Sequence, residues 1–135
     1  MDNMVSLQGT LPPVIGPYSY GKLIRNPSGS FFAWSSAQAG MLPDGSVAPG
    51  DDPIRDQALQ TLNNLKALAE ANGMDLETHC LKNTVYLVDM SDFAKFNEVY
   101  KTFFVKSFPA RTCIAVESLP RGLRVGMESI LFKPE

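Results

Sequence analysis

Apolar positions along this chain recur with two different periods, and the changes between them divide it into elements. Ala58, Leu62, Leu65 and Ala69 repeat at helical spacing. Asp52 before Pro53 reads as a cap with proline at the first helical position, and Asn72-Gly73 supplies a stop, so a helix is predicted over 53–72. A second helix is predicted after Ser91-Asp92, where Phe93, Phe96, Tyr100, Phe103 and Phe104 form one broad apolar face that Pro109 closes off. The remaining apolar runs are short and rich in β-formers. Leu23-Ile24 and Phe31 to Trp34 flank Asn26-Pro27-Ser28-Gly29, which predicts a hairpin. Leu81 to Val88, Thr112 to Val116 and Arg124 to Phe132 read as further strands, and a short edge strand is expected near Val47. Residues 1–21 hold Pro12, Pro13 and Pro17 and are expected to run as an extended arm.

Two helices set among five or six short strands predict an α+β layer fold, a mixed sheet with both helices on one face. Nothing is then left to cover the other face. Strands carrying Val85, Leu87, Ile114, Val116 and Leu131 are too apolar to leave it in water, so an oligomer is expected. The length of 135 residues leaves room for one core, and the whole chain is read as a single domain.

Composition narrows the classes of function. With 44% hydrophobic and 19% charged residues the chain is expected to be globular, and a net charge of −2 gives no general pull toward phosphate backbones. Nucleic acid is a poor first partner. No stretch approaches the roughly 20 apolar residues that a membrane span needs, and the first residues lack a basic region followed by an apolar block. Two cysteines, Cys80 and Cys113, are too few for a disulfide framework, so a reducing cytoplasm is the expected setting. A single histidine, His79, excludes a two-histidine zinc site, and no metal is expected.

Few residues remain that could carry chemistry. Asn97 shares the apolar stripe of the second helix, where a carboxamide serves either as a structural hydrogen-bonding residue or as a ligand contact. Arg111 opens a strand with Cys113 and Ala115 on its own face; a planar guanidinium is the natural two-pronged receptor for a small carboxylate, although many such arginines are solvated or ion-paired. Glu128 alternates onto one face with Gly126, Ile130 and Phe132. It is a candidate general acid or base, and an edge-strand glutamate facing solvent or paired with Arg111 explains the spacing equally well. His79 reads as a surface residue in the loop entering the strand at Leu81, and Cys113 as a small core residue.

Gly16-Pro17-Tyr18-Ser19, the stretch from Gln57 to Gly73, Asp89-Met90, Phe96 to Tyr100, Phe108-Pro109-Ala110-Arg111-Thr112 and Leu119-Pro120-Arg121-Gly122 together resemble the RidA family, also called endoribonuclease L-PSP. The resemblance runs from about Ile15 to Phe132, and the Pro-Ala-Arg-Thr strand start is its most diagnostic piece. It implies a chorismate-mutase-like fold and a homotrimer with ligand clefts between subunits. The implied activity is that of an enamine/imine deaminase, converting 2-aminoacrylate and related 2-imino acids to 2-keto acids and ammonium without a cofactor. Carried over residue by residue, it gives Arg111 the substrate carboxylate, Glu128 the water and proton transfer, and Tyr18 a catalytic place in the cleft. Asn97, Ser36 and Ala37 line that cleft, and the backbone of Cys113 helps seat the reacting group.

The chain also departs from the family pattern. Tyr20-Gly21 follows Gly-Pro-Tyr-Ser where Gln-Ala is usual, Ala37 stands where glycine is usual, and Gly126-Met127-Glu128 keeps only the second acid of a common Glu-x-Glu. Two rival functions stand beside the deaminase: an endoribonuclease and translation inhibitor, which one histidine and a negative charge disfavour, and a non-catalytic trimer binding small carboxylates, which would use Arg111 without Glu128.

Overall fold

The computed structural model describes residues 3–135. A mixed sheet is covered on one face by two helices. β1 (Met4–Ser6), β2 (Gly21–Arg25), β3 (Phe31–Ser35) and β4 (Gln38–Ala39) precede α1 (Pro53–Ala71) and the single turn α2 (Leu76–His79). Then come β5 (Cys80–Leu87), α3 (Phe93–Tyr100), β6 (Ala110–Ala115) and β7 (Val125–Lys133). The order across the sheet is β1-β2-β3-β7-β5-β6, with β4 also on β7. Among the described residues only β5 and β6 run parallel, joined by a crossover that contains α3.

Among the described residues the sheet has seven strands rather than five or six. One addition lies inside the segment expected to be an arm, where Met4 to Ser6 pair with Ile24 to Lys22; the arm's first two positions lie outside the described residues. The other is β4, only two residues long. Segments this short show no period to read. Val47 makes only an isolated bridge to Met41. The second helix stops at Tyr100, so Phe104 reaches the core from the turn that follows, and Phe93 stays exposed.

The helix-facing side of the sheet holds Leu23, Ala33, Val85, Leu87, Val125, Met127 and Leu131, all buried against Leu62, Leu65, Phe96 and Phe104. This corrects the expected composition of the bare face, because Val85, Leu87 and Leu131 point into the core. The uncovered face is nonetheless apolar. It carries Phe32, Trp34, Ile114, Ile130 and Phe132, with the ring of Phe32 stacked at 5.6 Å on Trp34 and 4.6 Å from Phe132.

Three buried polar residues of α1 make specific hydrogen bonds, one of them to the loop after β3. Asn64 donates its amide to the carbonyls of Ala39 and Met41, and Gln57 accepts from the backbone N–H of Arg124. Thr61 bonds back to the Gln57 carbonyl. Gly40 crosses the helix so closely that a Cβ there would lie 2.5 Å from that of Gln57, which requires glycine.

A bulge interrupts the start of β5. Cys80 pairs with Leu131 and Lys82 with Ile130, leaving Leu81 as an extra residue. The shift turns Cys80 toward the core, beside Asn83. No helix among the described residues is long and apolar enough to cross a membrane.

Candidate active site

The first half of the site is a cavity of about 360 Å³ at the margin of the uncovered sheet face. Tyr18, Ser36 and Ala37 line it, as do Tyr20, Tyr86 and Gly126. The arm forms one wall because its proline-rich chain is stitched to the loop after β3. The Ser36 N–H donates to the Tyr20 carbonyl at 2.8 Å, the Ser36 hydroxyl donates to the Ser19 carbonyl at 2.8 Å, and the Tyr20 hydroxyl donates to the Leu11 carbonyl. Leu119 and Pro120 form the opposite wall. There the turn of residues 120–122 places Arg121 in the left-handed region, at φ 58°, and its guanidinium donates to the Gly45 carbonyl.

Glu128 stands on this same face, in the middle of β7. Its carboxylate accepts a hydrogen bond from the hydroxyl of Tyr86. Tyr86 pairs with Gly126 and Glu128 with Thr84, so the two side chains are diagonal neighbours across antiparallel strands, within reach of long side chains. The hydrogen bond to Glu128, and then partial burial, raise the phenol pKa of Tyr86 from its ordinary 10.0. Tyr86 was not legible as a site residue, since its partner lies 42 positions away. The only available signal was its alternation with Val85 and Leu87.

The second half of the site surrounds Arg111. A pocket of about 300 Å³ is lined by Asn97, Tyr100, Lys101, Phe108, Pro109 and Arg111. The guanidinium lies over three rings, 4.7 Å from the centroid of Tyr100, 5.5 Å from Phe93 and 5.8 Å from Phe96. Such stacking uses the face of the cation and leaves its edge donors for another group. Among the described residues no carboxylate forms an ion pair with Arg111. The side-chain oxygen of Asn97 is buried without a hydrogen-bond partner at this pocket. Two unspent polar groups of complementary kind, one donor and one acceptor, therefore face one small space.

Tyr100 is itself held from behind. Its hydroxyl accepts from the amide of the wholly buried Asn83 at 2.9 Å, and the Asn83 oxygen accepts from Ser129 at 2.6 Å and from the thiol of Cys80 at 3.2 Å. Burial pushes the Cys80 thiol up to about 12. Cys113, half-buried beside Val85 on the face of Arg111, is also pushed up by burial, although the Arg111 charge opposes this. Both thiols stay protonated near neutrality.

Arg111 and Glu128 do not pair within the chain. Arg111 aligns with Asn83 and Glu128 with Thr84, and successive strand residues point to opposite faces. Of the expected residues, Tyr18, Ser36, Ala37 and Glu128 thus collect on one side of the sheet, and Arg111, Asn97 and Cys113 on the other. His79 is the last residue of α2 instead of sitting in a loop, its Nδ1 accepting from the N–H of the N-cap Asp75 at 2.9 Å. The described residues contain no cluster of three His, Cys, Asp or Glu able to hold a metal ion.

The family model described as Endoribonuclease L-PSP matches residues 9–132. The chain belongs to this family. Among other members, a RutC family protein of Pyrococcus horikoshii is 42% identical over 123 residues, which cover 90% of this chain and 91% of that protein. The 2-iminobutanoate/2-iminopropanoate deaminase of Bos taurus is 40% identical over 120 residues, covering 88% of this chain and 82% of that protein. In three dimensions the chain is similar to the crystal structure of Escherichia coli TdcF with bound serine, at a TM-score of 0.83 and 32% identity, covering 96% of this chain and 99% of that one. The fold of the Endoribonuclease L-PSP family is thus that of the sheet and helices described above.

Proposed function

We propose that this chain is a 2-imino acid deaminase that hydrolyses enamines of the 2-aminoacrylate type and their imine tautomers to 2-keto acids and ammonium. The support is twofold: a bovine relative bears the name of such a deaminase, and a structural relative carries bound serine, an amino acid with the same small carboxylate end. The observation that carries the reading at residue level is the Arg111 guanidinium, stacked on three rings with no anion of its own beside the unpartnered oxygen of Asn97.

In this reading Arg111 grips the substrate carboxylate through two parallel N–H bonds, and Asn97 accepts from the substrate amine or imine. The Cys113 backbone borders the same position, while Tyr18, Ser36 and Ala37 enclose the substrate from the opposite side. Glu128 handles the proton of the attacking water. An imine carbon needs only an anchored carboxylate, a placed water and a proton carrier, so proximity and general acid-base catalysis suffice and no cofactor is required.

Two halves on opposite faces of one sheet cannot close on one small molecule within a single chain. The reading therefore includes a homotrimer in which the first cavity of one copy meets the Arg111 pocket of the next, and the aromatic face of Phe32, Trp34 and Phe132 packs between copies. The test is release of keto acid from 2-imino acids generated by an amino-acid oxidase, with and without this protein. Acceleration that disappears in Glu128→Gln while that variant still binds carboxylates supports the deaminase. Full activity in Glu128→Gln moves the acid-base role to another residue, Tyr18 first, and carboxylate binding without any acceleration by the wild type supports a binding trimer instead.

A further inference from the structure

The deaminase reading leaves one polar contact on the uncovered sheet face unused. The Tyr86 hydroxyl donates to Glu128, and Tyr86 rather than Glu128 borders the cavity that holds Tyr18 and Ser36. The phenol therefore stands between the acid and the space where substrate is expected. Gly126, directly opposite Tyr86, offers no side chain to block the ring from the cavity. A tyrosine hydroxyl has one proton and two acceptor lone pairs, so while it donates to Glu128 its oxygen remains able to accept from a water in the cavity. The raised phenol pKa keeps that proton in place at neutral pH.

We propose that Tyr86 is a further catalytic residue, relaying protons between Glu128 and the reacting water and amine in this cavity. The proposal rests on the deaminase reading. Water held at Tyr86 Oη adds through its oxygen lone pair to C2 of the iminium form of the substrate, and the C=N π pair moves to nitrogen. As the C–O bond forms, the water proton passes to Tyr86 Oη and the Tyr86 proton passes to Glu128 Oε1. The carbinolamine then takes the proton back by the same route onto its nitrogen. The C–N bond breaks as the hydroxyl oxygen forms C=O, and the departing ammonia takes up the hydroxyl proton. Glu128 and Tyr86 return to their starting forms, and the products are a 2-keto acid and ammonium.

The test measures single-turnover imine hydrolysis by the wild type, Tyr86→Phe, Glu128→Gln and the double variant, each checked for melting temperature and oligomer mass. A relay predicts a fall in rate of about 100-fold or more in Tyr86→Phe with substrate affinity within about twofold, in keeping with the size of general acid-base effects. It also predicts that Tyr86→Phe adds nothing to the loss in Glu128→Gln. Wild-type rate in a folded Tyr86→Phe, or losses that multiply in the double variant, overturns the relay. A second measurement needs no variant: the wild-type rate against the deuterium fraction of the solvent should bow downward for two protons in flight, and a straight line overturns the relay. If the wild type is no faster than buffer, the deaminase reading fails and takes the relay with it; a wild type that is active beside an equally active Tyr86→Phe sinks the relay alone.

Discussion

Arg111 and Glu128 stand back to back across the sheet, one aligned with Asn83 and the other with Thr84, adjacent residues of β5. A carboxylate held by Arg111 is out of reach of Glu128 in the same chain, so the proposed cleft requires a second copy.

Mixing follows from this. Arg111→Ala and Glu128→Gln, each inactive alone, should recover activity when unfolded and refolded together. Random assembly at equal amounts leaves about a quarter of the clefts with both groups intact. Keto acid release by the mixture, compared with each parent, measures it. No recovery would contradict a cleft shared between copies.

The stack under Arg111 separates charge from shape. Arg111→Lys keeps the charge but loses both the fork and the flat face over Tyr100, Phe93 and Phe96. Charge-assisted hydrogen bonds contribute about 1.5 to 3 kcal/mol, so Arg111→Lys should lose on the order of tenfold or more in kcat/KM, close to Arg111→Ala. A fully active, folded Arg111→Lys would remove the carboxylate anchor.

Tyr100 has two duties that substitution can divide. Tyr100→Phe keeps the ring beneath the guanidinium but strips the Asn83 amide of its partner. Stability should fall by about 1 to 3 kcal/mol, as expected for a buried group left unpaired, with KM nearly unchanged. Tyr100→Leu removes the platform as well and should raise KM. Urea unfolding alongside kinetics distinguishes the two effects.

Cys80 makes stability depend on alkaline pH. Its thiol is raised in the fold from 9.0 to about 12 by burial, so the unfolded chain gives up this proton first. The contribution is complete below pH 9 and is lost as pH rises toward 12, at up to about 1.4 kcal/mol per pH unit. Unfolding midpoints of the wild type and Cys80→Ala should converge between pH 8 and about pH 10.5; parallel curves would mean that the thiol ionises in the fold.

Trp34 lies on the uncovered face, stacked with Phe32. Trp34→Glu should reduce both oligomer mass by light scattering and imine hydrolysis, while leaving the helix signal in circular dichroism intact. An active protein at monomer mass would contradict the shared cleft.

Much of this arrangement was legible from local pattern. α1 could be read because Ala58, Leu62, Leu65 and Ala69 face the core at a regular period, and the Glu128 face could be read because β7 alternates. Parity within a strand does not say how strands align, however. That Val85 and Leu87 share a face with Arg111, and Tyr86 with Glu128, depends on a parallel register to β6 and an antiparallel register to β7. Those registers also bring Asn83 and Ser129 together across 46 positions. β1 and β4 were hidden by their brevity, and the turn that brings Phe104 inward carries no period at all.

The bulge at Leu81 has a consequence for insertions and deletions. Cys80 and Lys82 already face consecutive residues of β7, Leu131 and Ile130, so loss of Leu81 would close the ladder without turning any side chain over. Loss of a single residue anywhere from Asn83 to Tyr86 would instead reverse the faces on one side of the gap. Asn83 would leave its place behind Tyr100, or Tyr86 its place beside Glu128. Within β5, the address at which a deletion keeps every face is the exposed Leu81.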